Sequence, residues 1–222
     1  MDSRVQELLA QAGKKFKKRT NLLNLWQSIA DNFYPERADF TEDHTDGEEF
    51  ADHLFGSYPV LARRELGNLF GTMLRPRSLK WFSLHVADEE ADKQQATRSY
   101  LEYMDGVQWR AMYDHDFAAF GNTVIEVFLS QDRTHLVHKA HHLRDTAWSE
   151  NSEGEIDTVY RQCTPTASQL VMDYPDKVSK DTKKLAESDP DATVNCCQIV
   201  VPTRNYKADP DKKGKIRPWT VF

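Results

Sequence analysis

Apolar residues recur at three- and four-residue steps through the first 34 positions. Val5, Leu8, Leu9 and Ala12 share one helical face, and Leu22, Leu25, Trp26, Ile29 and Phe33 continue the period. This predicts one or two helices over residues 3–34, with Gly13 or Thr20-Asn21 as interruptions and Pro35 as the stop. Arg37 to His53 is acidic and polar, which reads as a loop, mobile or ordered by a partner. Helical spacing returns from Leu54 to Leu74, after Ser57 and with Pro59 in the first turn. Val60, Leu61, Arg64, Leu66, Leu69, Phe70 and Met73 lie on more than one side, so this helix is expected to be largely buried. Gly67 and Gly71 permit a close helix contact, and Arg75-Pro76-Arg77 ends the segment.

Trp81 to Val86 reads as a short strand and Glu89 to Asp116 as a long helix, with Tyr100, Tyr103, Met104, Val107, Trp109 and Met112 on its apolar side. The central stretch runs from Tyr113 to Trp148. Its start is still helical, with Tyr113, Phe117 and Phe120 on one face, until Gly121-Asn122 breaks the pattern. Thr123 to Leu129 is β-branched and aromatic, Ser130 to Thr134 has a turn composition, and a second β-like run begins at His135. A helix therefore feeds a hairpin whose strands are apolar enough for a core. Glu150 to Glu155 is a polar turn around Gly154, and Ile156 to Gln162 alternates like a strand. Thr164 to Tyr174 reads as a helix with Thr164 as cap and Pro165 in the first turn. Val178 to Ala186 predicts a short amphipathic helix, Val194 to Val201 a strand, Asn205 to Gly214 a charged turn, and Ile216 to Phe222 the start of another strand. The class is α+β: residues 1–116 mainly helical, residues 117–222 a small antiparallel-rich sheet with short helices. The apolar run at the C-terminus reads as the cut end of a longer chain.

Composition narrows the classes. Eleven Phe, eight Tyr and five Trp argue against a disordered chain, and a net charge of −6 gives no global case for nucleic-acid binding. The run Lys14-Lys15-Phe16-Lys17-Lys18-Arg19 stands apart as a solvated helix face, with a phosphate or acidic partner as the second reading. Three cysteines, two of them adjacent, make neither a disulfide framework nor a zinc spacing and point to a reducing compartment. The N-terminus lacks the apolar run of a signal peptide, and no segment has the length of a membrane span, so the expectation is a soluble cytoplasmic product with no membrane partner.

Candidate chemistry is thin. His135, His138, His141 and His142 invite a metal reading, but no two sit at the i, i+2 spacing that sets imidazoles side by side on a strand, and polar strand residues are the better account. Cys196-Cys197 cannot comfortably give both thiols to one metal. Asp114, His115 and Asp116 at a helix end suit a cap or a salt bridge better than an acid/base site. Walker, GxGxxG, GxSxG and HExxH motifs are absent. No catalytic, cofactor-binding or metal residue is assigned, no cofactor is expected, and an enzyme is disfavoured.

Four stretches, in order, carry a resemblance: WQSIADNFYPERADF (26–40), LFGSYPVLARRELGNLFGTMLRPRSLKWFSL (54–84), DHDFAAFGNTVIEV (114–127) and HLRDTAWSENSEGEIDTVY (142–160), the last followed by PTASQL. In register they resemble the head-to-tail connecting (portal) proteins of T7-like short-tailed bacteriophages, over nearly the whole chain. The resemblance implies a structural subunit of a dodecameric ring at one capsid vertex, through which viral DNA is packaged and ejected. Its partners would be copies of itself, capsid and scaffolding protein, terminase and tail adaptor proteins, in a virion made in the host bacterial cytoplasm. Members of this family are far longer, so the chain corresponds to an N-terminal, wing-like part, and no DNA-channel residue is assigned. Leu54–Leu74 and the helix at Tyr100 to Met112 are candidate ring contacts, though intramolecular core is the favoured fate of both. A small partner-binding adaptor is the alternative function, followed by a metal-dependent nucleic-acid enzyme.

Overall fold

The computed structural model describes residues 3–45, 47, 48, 51, 53–74, 113–130, 132–202 and 219–221. The strand expected at 81–86, nearly all of the helix expected at 89–116 and the charged turn at 205–214 lie outside them. The chain forms two compact units, Met1–Thr20 with Arg144–Phe222, and Asn21–Leu143. Helices and small antiparallel sheets make the fold α+β.

The first unit lays helix α1 (Ser3–Lys18) on a four-stranded antiparallel sheet. Gly13 does not interrupt α1. A mid-helix Gly costs about 1 kcal/mol against Ala, and here the buried face continues past it from Ala12 to Phe16. The break falls at Arg19, before Thr20. The sheet order is β3 (Thr146–Glu150), β4 (Ile156–Cys163), β5 (Cys196–Pro202), β6 (Trp219–Val221). Register sets Ala147 opposite Tyr160 and Tyr160 opposite Ile199, so these three share one face. With Val201 they pack against Ala12, Leu8, Leu9 and Phe16. Methyl side chains at Ala12 and Ala147 allow close approach of helix and strand.

Between β4 and β5 lie α5 (Ala167–Asp173) and α6 (Lys180–Ser188). The cap of α5 is Thr166, not Thr164. Thr166 and Gln169 form a reciprocal capping box, whereas Thr164 precedes a proline that disfavours helical geometry there. Helix α6 starts two residues later than its apolar pattern predicts, because Ser179 caps it by accepting from Thr182 N–H at 3.1 Å.

The second unit holds all of α2 (Thr20–Phe33) but its first residue, α3 (Tyr58–Leu74), α4 (His115–Phe120) and the hairpin β1 (Val124–Leu129) with β2 (Leu136–His141). Its core is aromatic. Trp26 lies 5.6 Å from Phe40 and 6.3 Å from Phe120; Phe120 stacks on Tyr34 at 6.2 Å and meets Phe40 edge-on at 5.0 Å. Leu25 and Phe33, expected on the apolar face of α2, are exposed. Leu25 lies about 100° round the helix from Trp26, and Phe33 is the last residue of α2. Pro35 stops the helix as its sequence suggests and opens a 3-10 turn, Pro35–Arg37.

The polar segment after Arg37 is irregular, but its first part is pinned to the core. Gln27, buried in α2, accepts from Phe40 N–H (2.8 Å) and Thr41 N–H (2.9 Å) and donates to the Ala38 carbonyl (2.7 Å). Ala38 and Phe40 are buried, so the mobile-loop reading fails there.

The largely buried α3 of the sequence reading is also corrected. Arg63, Gly67 and Gly71 face inward, whereas Leu61, Leu66, Leu69, Met73 and Leu74 are exposed, and the cation reads as buried at Arg63 rather than at Arg64. Gly121 ends α4 in the left-handed conformation (φ 66°) that glycine adopts without a Cβ penalty. The base of β1 and most of β2 are half-buried. Val127, Phe128 and Leu129 at the hairpin tip are exposed, against the expectation that both strands sit in a core.

Candidate functional site

The aromatic core of the second unit carries a buried polar clamp. Asp116, at 2% exposure, receives two hydrogen bonds from Arg37: Nη2 to Oδ2 at 2.6 Å and Nε to Oδ1 at 3.2 Å. Burial opposes the Arg37 charge, but the Asp116 hydrogen bond and negative charge outweigh it and raise the guanidinium pKa. Arg63, reaching inward from α3, lies over the Tyr34 ring at 3.8 Å and donates to the Phe33 carbonyl (3.2 Å) and to His115 Nδ1 (2.9 Å). A guanidinium has no acceptor, so Nδ1 must present its lone pair, and the imidazole is neutral with its proton on Nε2. Burial, then the Arg63 charge, hold the His115 pKa below the ordinary histidine value. Burial, then Asp116, raise Tyr34. A Cβ at Gly67 would overlap the His115 ring at Nδ1, so glycine is what lets the imidazole lie against α3.

The clamp joins the end of α2, the 3-10 turn, α3 and α4. Asp116 and His115 take part in it through the carboxylate and Nδ1, the same atoms a general base would use. The ion-pair reading of Asp116 agrees with the contacts. Asp114 occupies the N-cap position of α4, but its side chain makes no capping hydrogen bond. Sequence reasoning missed Gln27, Tyr34, Arg37 and Arg63. The i, i+4 step from Arg63 to Gly67 was the one available hint, since a long side chain beside a glycine marks a face with room to reach inward.

The histidines of the hairpin are dispersed. His141 is buried with Nε2 2.8 Å from Glu126 Oε2, its diagonal neighbour across the strands. His142 Nε2 lies 2.8 Å from Asp39 Oδ1, and its ring rests 4.6 Å from Phe40. His135 sits on the exposed turn near Asp132, and burial lowers the His138 pKa. Among the described residues no three His, Cys, Asp or Glu side chains gather as a metal site. Cys163, Cys196 and Cys197 are free and half-buried.

In the basic run, Lys14, Lys17 and Lys18 are exposed at the C-terminal end of α1, where the helix dipole favours cations. Arg19 departs from the solvated-face reading. Its Nη2 donates to the Arg144 carbonyl at 2.9 Å, and its guanidinium lies 5.1 Å from the Phe16 ring centre. Burial pushes its pKa down to about 10, partly countered by Asp145, and it stays a cation at neutral pH.

The model of the family described as bacteriophage head to tail connecting protein matches residues 6–221. The chain belongs to that family. A curated relative from Bordetella phage BPP-1, described as a probable portal protein, is 23% identical over 192 residues, covering 80% of this chain and 34% of its own length. The chain therefore spans about a third of the curated relative it matches. No described helix is long and apolar enough to cross a membrane.

The stretches that carry the connector resemblance coincide with the clamp and its surroundings. Residues 26–40 supply Trp26, Gln27, Tyr34, Arg37 and Phe40, and residues 54–84 supply Arg63 and Gly67. Residues 114–127 supply His115, Asp116, Phe120 and Gly121. Residues 142–160 supply His142, buried Leu143, β3 and most of β4. The resemblance is thus written in residues that pack the interior of each unit separately.

Proposed function

We propose that this connector-family chain is the N-terminal, wing-like part of a portal subunit, acting structurally rather than catalytically. In this reading the complete subunit assembles with copies of itself into a closed, dodecameric ring at one capsid vertex. Viral DNA is packaged and ejected through the ring, as in T7-like phages. Capsid and scaffolding protein, terminase and tail adaptor proteins are its partners, and it is made in the host cytoplasm and carried in the virion. The observation that carries the reading is the family match over residues 6–221. The net charge of −6 accords with a part that contacts protein rather than gripping phosphate, because phosphate neutralisation would oppose sliding of DNA. Copies related by rotation meet through a heterologous interface, which closes into a ring when the rotation does.

The test is to follow the source reading frame past Phe222 and express its whole product. Closed rings by electron microscopy, with the same protein in purified virions, are the expected result. A stop codon directly after Phe222 in an intact gene would favour a small adaptor. A complete product that stays monomeric and is missing from virions would overturn the portal reading.

A further inference from the structure

Cys163 ends β4, Cys196 begins β5, and the antiparallel register sets them directly opposite each other. Directly opposed residues in such a pair have Cα atoms about 4.5 or 5.5 Å apart, and both values fall within the ~4.4–6.8 Å that a disulfide spans. Two residues along the same face, Arg161 Nη1 donates to Gln198 Oε1 at 2.8 Å, so side chains on this face do meet across the strands. Cys197 projects the other way, opposite Gln162 and against the Ala12, Tyr160 and Ile199 core. The two chain ends beyond the cysteines already run side by side. Thr166 bridges Thr193, Val194 N–H donates to the Pro165 carbonyl at 3.0 Å, and Ala167 N–H donates to the Ala192 carbonyl at 2.8 Å. Joining the two sulfurs therefore calls for no re-pairing of the strands.

We propose that Cys163 and Cys196 form a reversible cross-strand disulfide, closing the insert that carries α5 and α6, with a low-molecular-weight disulfide such as oxidised glutathione as oxidant. The Cys163 thiolate attacks one sulfur of the oxidant and displaces a glutathione thiolate. The Cys196 thiolate then attacks the Cys163 sulfur of the mixed disulfide and displaces the second. Two protein thiols lose two protons and two electrons, and one oxidised glutathione becomes two reduced molecules. Burial, and then Cys163, raise the Cys196 thiol above its ordinary range, so ring closure speeds up as pH rises. The inference rests on strand register and stands whether or not the portal reading does.

The test equilibrates the 222-residue chain in glutathione buffers from reducing to oxidising, quenches with acid, and alkylates under denaturing conditions. Alkylatable thiols are expected to fall from three to one, in a monomer lighter by two hydrogens, with the cross-linked peptides mapping to Cys163 and Cys196. Cys197→Ser should keep the cross-link, and Cys196→Ser should abolish it. Three free thiols at every poise, a link to Cys197, or disulfides only between molecules would each overturn the proposal. The wild-type peptide map decides the matter even where a serine variant fails to fold.

Discussion

Removing the carboxylate of Asp116 is the sharpest test of the clamp. The pair is bidentate, at 2.6 and 3.2 Å, with side-chain exposure of 18% for Arg37 and 2% for Asp116. Two unit charges about 4 Å apart attract by about 4 kcal/mol at an effective dielectric of 20, and desolvation of both groups offsets most of that. Deleting one partner is different, because it strands the other charge in the interior at a cost of about 3–5 kcal/mol. The residual opening at Arg37 lets water reach the guanidinium and places Asp116→Ala at the lower end, about 3 kcal/mol. Replacing both groups by apolar ones, Arg37→Met with Asp116→Leu, removes the stranded charge and should return stability to within about 1 kcal/mol of the parent. Urea unfolding at neutral pH gives each stability. Hydrogen exchange on residues 113–120 shows whether the loss is centred on α4. A cost below about 1 kcal/mol for Asp116→Ala, the range of a surface pair, would refute the reasoning. So would a double variant no more stable than the single one.

Three further outcomes follow from the same contacts. Gly67→Ala gains about 1 kcal/mol of helix propensity but drives a methyl into the His115 ring, and overpacking of about 1–3 kcal/mol should leave a net loss in thermal or urea melts. His115 has a lower pKa folded than unfolded, so the unfolded chain binds its proton first. Its contribution is complete above the ordinary histidine range and declines as pH falls from about 6.5 toward the folded value; His115→Gln should flatten that part of a stability–pH curve. Thr166→Ala should lose about 1 kcal/mol through the capping box, whereas Thr164→Ala should stay within about 0.5 kcal/mol, read as paired shifts in urea midpoint.

Elements whose cause is local were legible in the sequence. The inner face of α1, the stop at Pro35, the start of α3 near Pro59, the left-handed end of α4 at Gly121 and strands β1, β4 and β5 each follow from a period or from one residue's backbone preference. The cap at Thr166 was legible too, since Thr-x-x-Gln is the signature of a capping box, but Thr164-Pro165 offered a competing cap two residues earlier. Gln27 and Arg63 were not legible. A hydropathy pattern assigns such residues to solvent, and apart from Asp31, one turn on from Gln27, their hydrogen-bond partners lie 11 to 14 and 30 to 52 positions away. The exposed apolar side of α3 escaped for the converse reason: the pattern counts apolar residues on a helix and does not know which side the neighbouring helix takes. Here the contact goes to the small and polar side, where Gly67 admits His115 and Arg63 completes the pairing.

That inversion bears on what the connector resemblance means physically. Trp26, Gln27, Arg37, Arg63, Gly67 and His115 lie within the matched stretches, and their described contacts are internal to the second unit. Such residues specify how the unit packs, and they are costly to change because each satisfies another buried polar or aromatic group. Any contact with a partner would instead fall to groups that packing leaves outward. In the described residues these include the lysines at the end of α1, the apolar tip of the β1–β2 hairpin, and Leu66, Leu69 and Met73 on α3. Substitutions in the clamp should therefore lower stability without altering partner choice, and substitutions at the outward groups should do the reverse.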